Sequence, residues 1–279
     1  MKAAYRVARS AGGPTFQRAL EILFLFVDRP TMTVQMIGER LQLPKSSAYR
    51  FVRGLCEQGL LNTIGSGRYR LGPRILQLAE AARQQLSIVD LSSEVMADLA
   101  QATGETTLLT TVVGDQALAV RQVAAPQALR LTYQPGVIRP LNAGASAKIL
   151  FAFLDEAHQE RLLRTVRFES HTLDTVVDPV RLRKELAQIR AQGYAVTTGE
   201  YEESIRAVAA PVLESGGSVW GLSIVGPAFR MADSRLPRLV AQVVEAARTL
   251  GNRMQEAASL EPMRPREPSP RQTVRRGHR

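Results

Sequence analysis

Residues 43–55, LPKSSAYRFVRGL, gather groups that could bind an anion or a base edge on one side of a short helix. From Ser46 the spacing i, i+3, i+4, i+7 selects Tyr49, Arg50 and Arg53, with Lys45 and Ser47 beside them. Ala48, Phe51, Val52 and Leu55 make the opposite, apolar stripe. Pro44 is expected at the first helical position, where a missing N–H would be unpaired anyway. An ordinary surface helix would share the apolar stripe, but its outer face usually mixes signs. Here the first acid is Glu57. Donors and positive charge without acids suit a major groove, where Arg50 and Arg53 can form paired hydrogen bonds to base edges.

Such a face needs elements to hold it. FQRALEILFLFV, residues 16–27, is strongly periodic, with Phe16, Ala19, Leu20, Leu23, Phe24 and Val27 on the expected buried side. Asp28-Arg29-Pro30 stops it. Thr33 can cap a second helix, VQMIGERL, through its hydroxyl, with Val34, Ile37 and Leu41 inward. A tight turn at Gln42-Leu43 leads into the basic helix, which Gly59 ends. LLNTI (60–64) and RYRL (68–71) read as strands around Gly65-Ser66-Gly67. Three helices and a hairpin predict a winged helix-turn-helix. Alternation lets both Arg68 and Arg70 of the wing face DNA. The expected DNA-contacting set is Thr33, Lys45, Ser46, Ser47, Tyr49, Arg50, Arg53, Arg68 and Arg70.

Charge follows the same division. The chain carries +10 in all, with a pI near 10.4, which favours an acidic partner, nucleic acid before membrane. Residues 1–15 have Lys2, Arg6 and Arg9 and no acid, and residues 16–73 have eight bases against four acids. The terminal stretch 259–279 has six arginines against Glu261 and Glu267, whereas residues 74–258 are nearly neutral. Hydrophobic content of 45% fits a soluble globular protein long enough for two domains. A single cysteine, Cys56, rules out an intrachain disulfide and a multi-cysteine zinc site, and reads as a core thiol. No apolar run is long enough to span a bilayer, and MKAAYRVARSAGG lacks the apolar stretch of a secretory signal. A cytoplasmic protein is expected, with no membrane partner.

Beyond the wing the pattern changes. Residues 73–85 read as a connecting helix with Ile75, Leu76, Leu78 and Ala79 apolar, and 91–103 as another that ends at Gly104. Strand character is expected at 106–113, 117–123, 129–133, 194–197, 206–214 and 218–225, the last two around Ser215-Gly216-Gly217. Helices are expected at 143–154, 155–166, 179–192 and 236–258. An antiparallel sheet flanked by helices makes an α+β sensor-type domain. The expected organisation is a basic flexible arm (1–15), a winged helix-turn-helix (16–73), a linker helix (74–90), a sensor domain (91–258) and a disordered Pro/Arg-rich tail (259–279).

With these parts in this order, the chain resembles the IclR (isocitrate lyase regulator) family of bacterial transcription factors. LPKSSAYRFVRGLCEQGLL, GRYRLGPRILQLA, TGET and the block AQGYAV…EYEESIRAVAAPV…GLSIVGPAFR carry the resemblance, which runs from about Phe16 to Ala258. It implies a GAF-like effector-binding domain, homodimers joined through winged helices and linker, and often dimers of dimers. It also implies palindromic double-stranded DNA operators and a repressor or activator controlled by a small metabolite, commonly an organic or aromatic acid.

The resemblance further places the effector pocket where the helix of LNAGASAKILFAFL meets the sheet, lined by Ala145, Ser146, Thr197, Ala207, Ser223 and Val225. Free N–H groups at that helix start would suit a carboxylate. Members that bind small keto acids resemble this chain with an acid at the Thr197 position, a cysteine at Ala207 and a serine at Val225. The replacements here imply a bulkier, more apolar carboxylic acid.

Catalysis finds little support. His158, His171 and His278 are the only histidines, and no HExxH, cysteine pair or Walker sequence occurs. The acids Glu200, Glu202 and Glu203 read as a charged surface loop. No catalytic residue, metal or cofactor is expected. The alternatives are a metabolic enzyme with an incidental basic helix, or a ligand-independent architectural DNA binder, for which residues 74–258 are excessive.

Overall fold

The computed structural model describes residues 14–85, 87–127, 131, 133–213 and 219–260. Both the expected arm, but for its last two residues, and the expected tail beyond Leu260 lie outside these, as does the turn at Ser215-Gly216-Gly217.

The first unit runs α1 (Pro14–Asp28), β1 (Met32–Thr33), α2 (Val34–Leu41), α3 (Lys45–Glu57), β2 (Leu61–Thr63) and β3 (Arg68–Leu71). Its sheet has the order β1-β3-β2, so a short strand before α2, unforeseen from sequence, joins the hairpin through Met32↔Tyr69. Thr33 caps α2 as expected, its hydroxyl accepting from the Met36 N–H at 3.2 Å. Gln42 takes the left-handed conformation, φ 53°, that turns the chain into α3. Pro44 precedes α3 rather than opening it, capping through its carbonyl to the Ala48 N–H. Gly72 closes the wing against α3's exit, and a Cβ there would stand 2.1 Å from the Gly59 carbonyl oxygen.

Ile22, Phe26, Met32, Ile37, Ala48, Val52, Leu55 and Leu61 form this unit's core. The inward face of α1 therefore differs from the expected one. Ile22 and Phe26 are buried, while Phe16 and Val27 are 59% and 50% exposed. FLFV is apolar all round, so periodicity left the orientation open, and packing against α3 selected it.

Next come α4 (Arg74–Gln85) and α5 (Ser87–Thr103). Residues 74–85 and 87–90 are thus helical, as read for the linker. Ile88, ahead of the expected start at 91, already belongs to the stripe with Val95, Met96 and Leu99 that packs on the sheet. On α4, Leu76 and Leu78 are 73% and 57% exposed.

The sensor continues with β4 (Thr106–Val113), β5 (Gln116–Val123), β6 (Ile138–Pro140), α6 (Ala145–Phe153), α7 (Glu156–Thr165), α8 (Pro179–Gln192), β7 (Ala195–Thr198), β8 (Ile205–Leu213), β9 (Val219–Pro227) and α9 (Leu236–Leu260). The six strands form one antiparallel sheet in the order β6-β5-β4-β9-β8-β7. Successive residues point to opposite faces. Leu108, Ala207, Ala209 and Val225 pack toward α6 and α8, whereas Leu109, Val208, Ala210 and Ile224 pack toward α5 and α9. The expected strand at 129–133 does not form at its described residues Leu131 and Tyr133. The edge position belongs instead to Ile138–Pro140, where a proline is tolerated because one side of an edge strand needs no ladder donors.

Candidate DNA-binding face and effector pocket

The split of α3 is as the spacing predicts. Ala48, Val52 and Leu55 are buried and Phe51 half-buried, while Lys45, Ser46, Tyr49, Arg50 and Arg53 are exposed. Ser47 is half-buried at the helix start. No side chain caps α3, so its first amides remain open to an anion. Arg53 Nε donates to Glu57 Oε1 at 2.8 Å, and that bond, with the nearby negative charge, raises the guanidinium's pKa. Arg50 instead leans over the Phe51 ring, 5.7 Å from its centroid. In the wing, Arg68 and Arg70 are both exposed while Tyr69 between them packs on the core. Arg68 also donates to Thr31 Oγ1 at 3.2 Å.

In the sensor, a cavity with about 650 Å3 of unfilled space, counting its open mouth, lies between the first turn of α6 and the sheet. Strand register builds one wall: Thr197 pairs with Ala207, and Ala207 with Val225, a row across β7, β8 and β9. Ala145 and Ser146 face this row from α6. Ser223 lies behind Ser146, fully buried, the two hydroxyls 2.7 Å apart. Five of the six expected residues therefore line the cavity, and the sixth braces one of them.

Two of the N–H groups at the helix start are already engaged. The Ala145 N–H donates to Thr197 Oγ1 at 2.8 Å, and the Gly144 N–H donates to Glu200 Oε2 at 3.0 Å. Glu200 is buried rather than part of a surface loop, although Glu202 and Glu203 are exposed as expected. Its other oxygen accepts from Lys148 Nζ at 2.5 Å, and the same ammonium donates to Glu185 at 2.7 Å. Lys148 has no exposed surface. Burial pushes the Glu200 carboxyl above the usual range, against the pull of Lys148. A buried charge is tolerable only when paired in this way.

The cavity's opposite end carries groups that the sequence did not flag. Arg139 of β6 stands 4.0 Å from the centroid of the Tyr201 ring and 5.2 Å from that of Tyr133. Burial, with Glu202 nearby, pushes the Tyr133 phenol up to about 12, so it stays a neutral donor. Ala117 and Ala119 of β5 supply apolar floor.

Residues 15–64 match the family profile described as "IclR helix-turn-helix domain", and residues 80–252 the one described as "Bacterial transcriptional regulator IclR C-terminal". The chain belongs to the IclR family of bacterial transcriptional regulators. Among its IclR relatives, the HTH-type transcriptional regulator BhcR of Paracoccus denitrificans is 32% identical over 243 residues, covering 86% of this chain and 87% of BhcR. An IclR homologue from Microbacterium hydrocarbonoxydans, solved in complex with 4-hydroxybenzoate, is 26% identical with a TM-score of 0.74, covering 87% of this chain and 99% of that one. The IclR-type fold is also shared with a Silicibacter regulator, with a TM-score of 0.79 at 24% identity and coverage of 86% and 96%.

For an IclR-family chain, the residues that sequence reasoning missed are informative. Glu200 sits in a stretch that looks like surface acids, and Arg139 in a three-residue strand ending in proline. Neither has a local signal. Among the described residues, no group of His, Cys, Asp and Glu is arranged to hold a metal ion, and no helix is long and apolar enough to cross a membrane. Cys56 is half-buried beside the winged-helix core, and burial raises its thiol pKa.

Proposed function

We propose that this IclR-family regulator binds a palindromic operator as a homodimer or dimer of dimers, with α3 in the major groove. Arg50, Arg53 and Tyr49 read bases there. Lys45, Ser46, Ser47 and Thr33 hold phosphates, and Arg68 and Arg70 of the wing track the adjacent backbone. The observation that carries this reading is the division of α3, whose apolar side is used up in the core while its other side is exposed and basic. Residues 16–73 form the DNA-binding unit, 74–90 the connection and 91–258 the sensor. The exposed Leu76 and Leu78 of α4 and Phe16 and Val27 of α1 supply apolar surface for pairing two copies.

Operator affinity responds to a small carboxylic acid with an apolar body, held in the cavity by Ala145, Ser146, Thr197, Ala207 and Val225, with Ser223 in support. The cavity walls offer small or apolar side chains at Ala207 and Val225. The ligand of the Microbacterium relative, 4-hydroxybenzoate, is the first compound to assay. The protein acts by binding, without turnover, in the cytoplasm.

Fluorescence anisotropy with the DNA upstream of its own gene, against random DNA of equal length, tests the reading. Preference for the upstream fragment, altered by an added acid, is expected. Equal affinity for both fragments, unchanged by every acid tried, overturns it.

A further inference from the structure

We infer that Arg139 is the carboxylate-reading residue of the sensor cavity and that the site selects apolar monocarboxylates over dicarboxylates. The inference rests on the acid-responsive reading above and specifies which end of the cavity holds the acid.

The α6 start is the position that helix electrostatics alone would choose. Its Ala145 and Gly144 amides are already engaged, and the Gly144 partner is itself a carboxylate, Glu200. Glu202, which also borders the cavity, lies nearer Tyr133. A ligand carboxylate at the α6 end would meet like charge in a partly desolvated space, which raises the cost of keeping it ionised.

Arg139 is the only cation among the described residues lining the cavity. Its guanidinium touches rings, Tyr201 at 4.0 Å and Tyr133 at 5.2 Å, and no carboxylate pairs with it among the described residues. Cation–π contact uses the flat face of a guanidinium and leaves its N–H edge free. That edge is the part that pairs bidentately with a carboxylate. Two flanking rings also restrict how the fork can turn, so less freedom is lost on binding. The apolar body then lies over Ala117 and Ala119 toward Ala207 and Val225. Its far end reaches Ser146, Thr197 and Glu200, where a hydroxyl can donate but a second carboxylate is repelled.

The test is calorimetric binding to the full-length protein, with 4-hydroxybenzoate, benzoate and phenylacetate as monoacids, 4-hydroxybenzamide as a neutral analogue and terephthalate as a diacid. Wild type should bind a monoacid roughly tenfold or more tightly than the amide or the diacid, as expected for one charge-assisted paired contact. Arg139→Ala should bring acid and amide to equal affinity, and Arg139→Lys should keep part of the preference because charge survives without the fork. Coincident thermal melts of variants and wild type guard against a folding defect. An undiminished preference for acid over amide in Arg139→Ala overturns the assignment of Arg139 and leaves the acid-responsive reading standing. Terephthalate binding as well as a monoacid overturns the selectivity. If no monoacid binds wild type, the acid-responsive reading fails and the Arg139 assignment fails with it.

Discussion

The Ala145 N–H donates to Thr197 Oγ1 at 2.8 Å, tying the first turn of α6 to edge strand β7. Both residues border the cavity, so this bond fixes the spacing of two of its walls. It also consumes an amide that would otherwise attract an anion.

Thr197→Val keeps the shape and removes the acceptor. The buried amide is left without a partner, which should cost about 1–3 kcal/mol of stability. Urea unfolding followed by circular dichroism would measure it. Stability equal to wild type would mean that water or a ligand takes the hydroxyl's place.

At the other end of the molecule, Arg50→Ala should weaken operator binding by roughly 1–3 kcal/mol and relax preference at one base pair. Arg68→Ala should instead weaken all sequences alike and lower the salt slope by about one. Titrations at several salt concentrations on operator and random DNA separate the two behaviours.

Arg53 is held by Glu57, one turn further along α3. Glu57→Gln removes the competing acid from the DNA-facing side and frees the guanidinium. Affinity for DNA should rise a few-fold at low salt, with the gain shrinking as salt screens it. A fall in operator affinity would show that Glu57 itself contacts a base, as a cytosine amino group would allow.

Lys148→Met leaves Glu200 and Glu185 facing an apolar side chain and should destabilise the sensor by about 3–5 kcal/mol. Glu200→Gln should cost less, because Lys148 keeps Glu185. The pH dependence has a definite sign. Burial raises the Glu200 carboxyl's pKa in the folded state, so above the ordinary carboxylate value the native protein holds more of this proton than the unfolded chain. The group's contribution therefore falls as pH rises through the raised value. Glu200→Gln should flatten that slope in pH-dependent unfolding curves.

Ala207→Phe should fill the cavity between the Thr197 and Val225 positions and abolish the effector response, with operator binding retained. Overpacking costs about 1–3 kcal/mol. A ligand shifts DNA affinity only through its unequal affinity for two dimer states, about 1.4 kcal/mol per tenfold effect. Anisotropy with and without acid, for wild type and variant together, decides the matter. An unaltered response moves the effector elsewhere.

What was legible in the sequence was what one element settles by itself. The 3.6-residue period divides α3 into Ala48, Val52 and Leu55 against Lys45, Arg50 and Arg53, and packing only had to accept that division. The Thr33 cap is local in the same sense, involving residues three apart. α8 and β4 occupy the spans read for them because their periods and boundary residues agree. Where a segment is apolar on every side, as in the FLFV stretch of α1, or as short as β6, nothing local chooses a face or even a strand. The cavity's charges are further removed. Lys148 meets Glu200 across 52 positions, and Arg139 meets Tyr201 only because the β6 edge and the chain leaving β7 come together at the cavity mouth. A charge's partner, and hence its burial and its use, depends on which surfaces the strand order β6-β5-β4-β9-β8-β7 brings into contact. Periodicity assigns residues to faces; only tertiary packing decides which faces meet, and desolvation then decides which of their charges must pair.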